Sequence, residues 1–161
     1  MELDNFLEIF GGVYEHSEWV AQHAYETGLE IQHNSVEGLA LIMKNVVDGS
    51  PREQKLNLLC AHPDLAGKLS INKNLTLESE LEQDSANLNN CTEEEFLEFQ
   101  KLNYAYKKKF NFPFILAVRG YNRTDILKIF NERINNSLEG EFVEAIRQVH
   151  RIALLRLKNI K

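Results

Sequence analysis

The sequence predicts an all-α protein of about eight helices, with one short extended segment near residues 112–118. Three observations carry that prediction. Apolar residues recur at helical spacing along most of the chain, capping signals stand where those runs begin, and strand-like and helix-like runs never alternate as a parallel α/β fold requires. Leu3, Phe6, Leu7 and Phe10 form a first short run, stopped by Gly11-Gly12. Trp19, Val20, His23 and Ala24 mark a second, ending before Gly28. Val36, Leu39, Ala40, Met43, Val46 and Val47 follow the i, i+3, i+4, i+7 spacing of one helix face. Ser50-Pro51-Arg52-Glu53 reads as a capping box with proline at the first helical position, opening a helix to about Cys60, and Pro63 forbids its continuation. Thr76 is placed to cap a short helix over 77–88. Thr92-Glu93-Glu94-Glu95 is a second capping box, and Phe96, Phe99, Leu102, Tyr106 and Phe110 carry that helix forward. Asn111 to Val118 is apolar, contains proline and is too short for a helix of its own, so it reads as an extended buried segment. Helices return over 124–135 and 138–158.

Composition bounds what these helices do. The chain has 161 residues, 43% hydrophobic and 26% charged, which fits one globular domain able to bury a core. A formal net charge of −6 argues against a general binder of nucleic acid or anionic membrane, which needs an excess of Lys and Arg facing phosphate. The basic run Lys107-Lys108-Lys109 ends a helix, where cations favour the negative end of the dipole. Cys60 and Cys91 form no CxxC pair, and Cys60, inside an apolar run, reads as a small buried hydrophobe. No stretch approaches the roughly 18 apolar residues of a membrane span. The acidic, amphipathic start MELDNFLEIFGG is unlike a signal peptide, so a cytoplasmic protein is expected.

The chemistry concentrates in a few places. In Ala61-His62-Pro63-Asp64-Leu65-Ala66-Gly67-Lys68, proline biases His62 away from the α region and fixes its imidazole on a turn, while Gly67 allows close backbone approach. Over 77–88, Leu77, Leu81 and Leu88 share one helix face, and Ser79, Glu82, Gln83 and Ala86 share the other. Such a polar stripe is either a solvated face or a hydroxyl, a carboxylate and an amide converging on one patch. Arg156 is a lone cation in Ile152-Ala153-Leu154-Leu155-Arg156-Leu157, suited to offering its fork to a carboxylate or to lying along the surface with its stem buried. His16 and His23 stand seven apart on one helical face, and His33 lies in a turn. No zinc spacing, dinucleotide fingerprint, P-loop or nucleophile elbow occurs, so neither a metal nor a cofactor is expected.

Taken together these pieces resemble the 2-oxo-4-hydroxy-4-carboxy-5-ureidoimidazoline (OHCU) decarboxylases of urate breakdown. The resemblance rests on Phe10-Gly11-Gly12-Val13-Tyr14-Glu15-His16-Ser17 with Trp19-Val20, and on His62 to Lys68. It continues through Leu75-Thr76 with Glu78-Ser79 and Glu82-Gln83, then Leu102-Asn103 before Tyr106, Phe110 with Phe112-Pro113-Phe114-Ile115, and Leu155-Arg156-Leu157. It implies a cofactor-free, all-α, homodimeric lyase that releases CO2 from OHCU and forms (S)-allantoin. It also implies that His62 and Glu82 are catalytic. Substrate contacts would fall on Pro63, on Ser79, Glu80, Leu81, Glu82 and Gln83, on Phe114, Ile115, Leu116, Ala117 and Val118, and on Arg156. The chain departs from the pattern at Asn87, where glycine is usual, and at Glu18, where proline is common before Trp19.

Two readings from other classes compete. A J-domain co-chaperone also carries His-Pro-Asp between helices, but it wants a basic helix before the tripeptide and usually Lys after it. Here Leu58-Leu59-Cys60-Ala61 precedes and Leu65-Ala66-Gly67 follows, in an acidic chain. The other is a helical interaction domain without catalysis.

Overall fold

The computed structural model describes residues 1–66, 77–85, 88 and 91–160. Its helices are α1 (Leu3–Phe10), α2 (Trp19–Thr27), α3 (Val36–Asp48), α4 (Arg52–Cys60), α5 (Leu77–Ser85), α6 (Glu93–Phe110), α7 (Arg123–Arg133) and α8 (Leu138–Asn159). A 3-10 turn, Ile31–Asn34, precedes α3, and no strand occurs among the described residues. The chain is all-α, as the periodicity predicts. It divides into two compact units: Met1–Ala61 with Val149–Lys161, and His62–Gln148.

In the first unit α1 packs on α2 and α2 on α3. Their apolar faces bury Phe6, Val20, Ala24, Leu39, Met43 and Val47, and Phe6 sits against the rings of Phe10 and Tyr25 at 4.8 and 5.3 Å. Ser35 caps α3 by accepting from the Gly38 amide. Gly38 is obligatory there, since a Cβ would lie 1.9 Å from the Gln32 carbonyl oxygen of the 3-10 turn.

Three local expectations change in this unit. Ser50 does not cap α4; its hydroxyl donates back at 2.6 Å to the Val47 carbonyl at the end of α3, which also accepts from the Ser50 amide at 3.0 Å. Cys60 is exposed rather than buried, because Leu58 and Leu59 take the inward face of α4 and the next residue turns about 100° further round. His16 is not on the face of α2 with His23; it lies ahead of that helix with a left-handed φ of 46°.

The second unit is built on aromatics. The capping box at Thr92 forms in both directions, with Glu95 N–H donating to the Thr92 hydroxyl and Thr92 N–H to the Glu95 carboxylate, each at 3.1 Å. The 18-residue helix that follows ends at Asn111, which takes the left-handed conformation common at helix ends. Tyr106 stands edge-on to Phe114 and Phe130, whose rings stack at 3.8 Å. Beneath them the fully buried Glu141 accepts from Arg133 Nε at 2.8 Å, from Tyr106 Oη at 2.5 Å and from Asn136 at 2.9 Å. A buried carboxylate needs this many donors to offset its lost hydration.

Candidate functional site

The sequence points first to the turn after α4. Its helix closes at Ala61, and His62 follows at 9% exposure in the second unit. Ala66 has a φ of 54°, an uncommon left-handed conformation for a residue with a Cβ. Three side chains from two helices hold backbone groups here, and a fourth holds the Asp64 carboxylate. Gln83 on α5 accepts from the Ala66 amide at 3.2 Å and donates to the Asp64 carbonyl at 3.4 Å. From α6, Asn103 donates to the Leu65 carbonyl at 2.9 Å, Gln100 donates to the Ala66 carbonyl at 3.4 Å, and Lys107 pairs with the Asp64 carboxylate at 2.8 Å. Lys107 is thus an ion-pair partner as well as a cation at a helix end. Gly67 and Lys68 of the same motif lie outside the described residues.

Helix α5 is oriented against the usual amphipathic rule. Leu77 and Leu81 are 66% and 58% exposed, whereas Ser79 and Gln83 are buried at 5% and 7%. Glu82 is half-buried and Asp84 exposed. Ser79 and Gln83 therefore do not form a solvated face, and the leucine side of the helix is the outward one. Leu88 is buried. Glu80 belongs to the same helix, while the Thr76 cap and positions Ala86 and Asn87 fall outside the described residues.

The extended segment adds a third surface. Phe112 through Val118 are all buried and none is helical. Two of its backbone groups are held from the side: Arg133 Nη1 donates to the Ile115 carbonyl at 2.6 Å, and the Ala117 amide donates to Gln148 Oε1 at 3.0 Å. Arg133 also lies 4.4 Å over the Phe114 ring. Among the described residues, no hydrogen-bond partner is found for the amides of Phe114, Ile115, Leu116 and Val118. Buried amides without acceptors are rare in folded proteins, so this row is suited to an acceptor-rich ligand. Pro63 is partly buried beside His62.

Arg156 belongs to the first unit. Its side chain is 5% exposed and its Nη2 lies 2.7 Å from the carboxylate of Glu15, which is fully buried. Arg156 Nη1 also donates to the Gly12 carbonyl at 3.4 Å. Of the two readings the sequence offers, the fork on a carboxylate is the one found, and the carboxylate is that of Glu15. Nearby in the same unit is an array that sequence reading misses: the Tyr14 hydroxyl meets His150 Nδ1 at 2.8 Å, and His150 Nε2 meets Asp48 at 2.9 Å. Burial holds the His150 imidazole below its ordinary pKa, against the opposing pull of Asp48. Burial also pushes the Tyr14 phenol up, and Asp48 adds to that rise. Desolvation pushes Asp48 up, but hydrogen bonds from Lys44 and His150 outweigh it and leave the carboxyl low. Nothing in the spacing of Tyr14, Asp48 and His150 announces them, since they are brought together from three distant parts of the chain. Arg133, Gln100 and Gln148 are missed for the same reason. Among the described residues no group of three or more His, Cys, Asp or Glu is placed to hold a metal ion.

Comparison with known proteins bears on these surfaces. The family model described as OHCU decarboxylase matches residues 1–158. A 2-oxo-4-hydroxy-4-carboxy-5-ureidoimidazoline decarboxylase of Haloferax volcanii is 40% identical, over 96% of this chain and 88% of its own. A protein of the same name from Halalkalicoccus jeotgali is 37% identical, over 98% of this chain and 85% of its own. Among solved structures, a crystal structure of (S)-allantoin synthase aligns with a TM-score of 0.76 at 34% identity, covering 98% of this chain. The present chain spans half of that longer one.

Proposed function

This chain belongs to the OHCU decarboxylase family, and from that premise we propose that it decarboxylates OHCU to (S)-allantoin and CO2, with His62 as the acid/base and Glu82 supporting it. The observation that carries the proposal is the inward burial of Ser79 and Gln83 in the second unit, which also holds His62 and the amides of Phe114, Ile115, Leu116 and Val118, for which no partner is found among the described residues.

Decarboxylation needs a place for an electron pair. In OHCU the departing carboxylate sits beside a conjugated C=N. The bond to CO2 breaks, its pair forms a C=C to the neighbouring carbon, and the C=N pair moves to nitrogen. That nitrogen takes up a proton from solvent, and the hydroxyl loses its own to become a carbonyl as the neighbouring carbon gains one on a single face. The substrate is its own electron sink, so the protein's work is orientation, charge stabilisation and proton transfer. His62 would take the hydroxyl proton and govern delivery to carbon; an imidazole titrates near neutrality and suits both directions. Glu82 would orient that imidazole and favour its protonated form. Ser79 and Gln83 would hydrogen-bond the ring and ureido groups, Gln83 with the donor and acceptor capacity left beyond its bonds to Asp64 and Ala66. Backbone amides of Phe114 to Val118 would donate to ring oxygens. The Ala117 amide, already given to Gln148, is the exception in that row. Arg156, held by Glu15, enters as a partner of the carboxylate or of a carbonyl on the family resemblance. A cytoplasmic homodimer is the form this reading implies, the homodimer on the family resemblance.

Freshly generated OHCU followed by ultraviolet absorbance tests the proposal. Its decay should accelerate in proportion to added protein, and a decay rate independent of protein would refute it.

A further inference from the structure

We infer that Asn103 is a positioning residue for His62: it clamps the Asp64–Ala66 turn so that the imidazole two residues upstream is held in one place. The inference rests on the functional reading of His62 given above and goes beyond it, since the hydrogen bond of Asn103 goes to the Leu65 carbonyl.

Three observations support it. First, the face of α6 towards the turn is polar where a helix buried on aromatics should be apolar. Gln100, Asn103 and Lys107, at i, i+3 and i+7, all end on residues 64–66. Second, Asn103 is 3% exposed, and while its Nδ2 donates to the Leu65 carbonyl, its Oδ1 is the one buried side-chain oxygen or nitrogen without a partner among the described residues. Leaving a buried acceptor unsatisfied is costly, so a leucine would serve better if packing were the only demand. Third, Ala66 is held at positive φ, a conformation that persists only where its surroundings over-determine it.

The clamp reaches His62 through very few soft torsions. Pro63 fixes its own φ and restricts the backbone of His62 before it. Asn103 fixing the Leu65 carbonyl, with Gln83 on that of Asp64, therefore narrows how the histidine enters the turn. Gln83 holds the same turn from α5, yet its amide is also proposed to meet substrate, so changing it would mix two effects. Asn103 isolates the positioning effect.

Asn103→Leu keeps the volume and removes both polar atoms. In the full-length protein its kcat on OHCU should fall by about ten- to a hundred-fold with KM changed less than about threefold, as expected when a catalytic group is misplaced while substrate binding is left intact. Asn103→Asp is the second variant. A neutral carboxyl donates to the Leu65 carbonyl and an ionised one repels it, and burial favours the neutral form. The ratio of its kcat to wild type should therefore rise as pH falls from about 8 to about 6, while the ratio for Asn103→Leu stays flat. A purely structural role would lower the melting temperature of both variants without tilting that ratio. If Asn103→Leu does not fold, the tilt for Asn103→Asp decides alone, and a flat ratio overturns the inference. A folded Asn103→Leu with wild-type kcat overturns it too, leaving the functional reading intact. Should wild type fail to act on OHCU, that reading falls, and the His62 imidazole resonances by NMR still decide the clamp. Resonances moved in Asn103→Leu support it; resonances unmoved contradict it.

Discussion

At the scale of single residues, the proposed chemistry separates neighbours that differ little in sequence. His62→Asn should lower turnover by about 10² to 10⁴-fold, the usual contribution of a positioned acid/base, with the helical circular dichroism spectrum unchanged. Retention of more than about a tenth of wild-type activity would reduce His62 to a turn residue. Glu82→Ala should likewise cripple turnover. Asp84, exposed two residues later on α5, is the internal control. Asp84→Ala should alter stability by less than about 0.5 kcal/mol and leave the rate alone. Equal effects at the two acids, measured side by side, would mean that the half-buried position of Glu82 has no chemical purpose.

Elements show how far the sequence carries and where it stops. The ends of α1, α2 and α6 are legible because local chemistry sets them: Gly11, Gly28 and the Thr92 box act within one turn. The extended run at 112–118 is legible because Pro113 and a continuous apolar stretch exclude a helix. Orientation is less so. Spacing sorts α5 into a leucine face and a polar face but does not say which points inward, because that depends on Gln83 finding the turn of His62 from 17 residues away in the chain. Ser50 departs from expectation because the neighbouring end of α3 takes its hydroxyl, and Cys60 because Leu58 and Leu59 set which face of α4 turns inward. The same competition gives a prediction for α3. Glycine to alanine inside a helix normally stabilises by up to about 1 kcal/mol. At Gly38 the new Cβ would meet the Gln32 carbonyl oxygen at 1.9 Å. Gly38→Ala should therefore destabilise by about 1 to 3 kcal/mol, the range of overpacked sites, as read by thermal melting. A raised melting temperature would show that the 3-10 turn gives way freely.

For the molecule as a whole, titration and metal dependence follow from the charges the fold keeps. Because burial holds His150 below its ordinary pKa, the unfolded chain takes up that proton more readily. The stability due to neutral His150 is intact above the unfolded value of about 6.5 and is lost as pH falls below it. Asp48, held low by Lys44 and His150, adds a second loss as pH falls below its unfolded value of about 4. Melting temperature should thus drop between about pH 7 and pH 5, and His150→Gln, which can keep both hydrogen bonds without titrating, should flatten that drop. An identical pH slope in the variant would place the titration elsewhere. Turnover should survive dialysis against a strong chelator, and loss restored by zinc would overturn the cofactor-free mechanism.

The central claim is that this fold delivers a proton to one face of a decarboxylated ring. The most direct measurement is circular dichroism of the product formed from freshly made OHCU, with and without the protein. (S)-Allantoin in clear enantiomeric excess, appearing faster than spontaneous decay, is the predicted result. Racemic allantoin formed at the uncatalysed rate would contradict the claim.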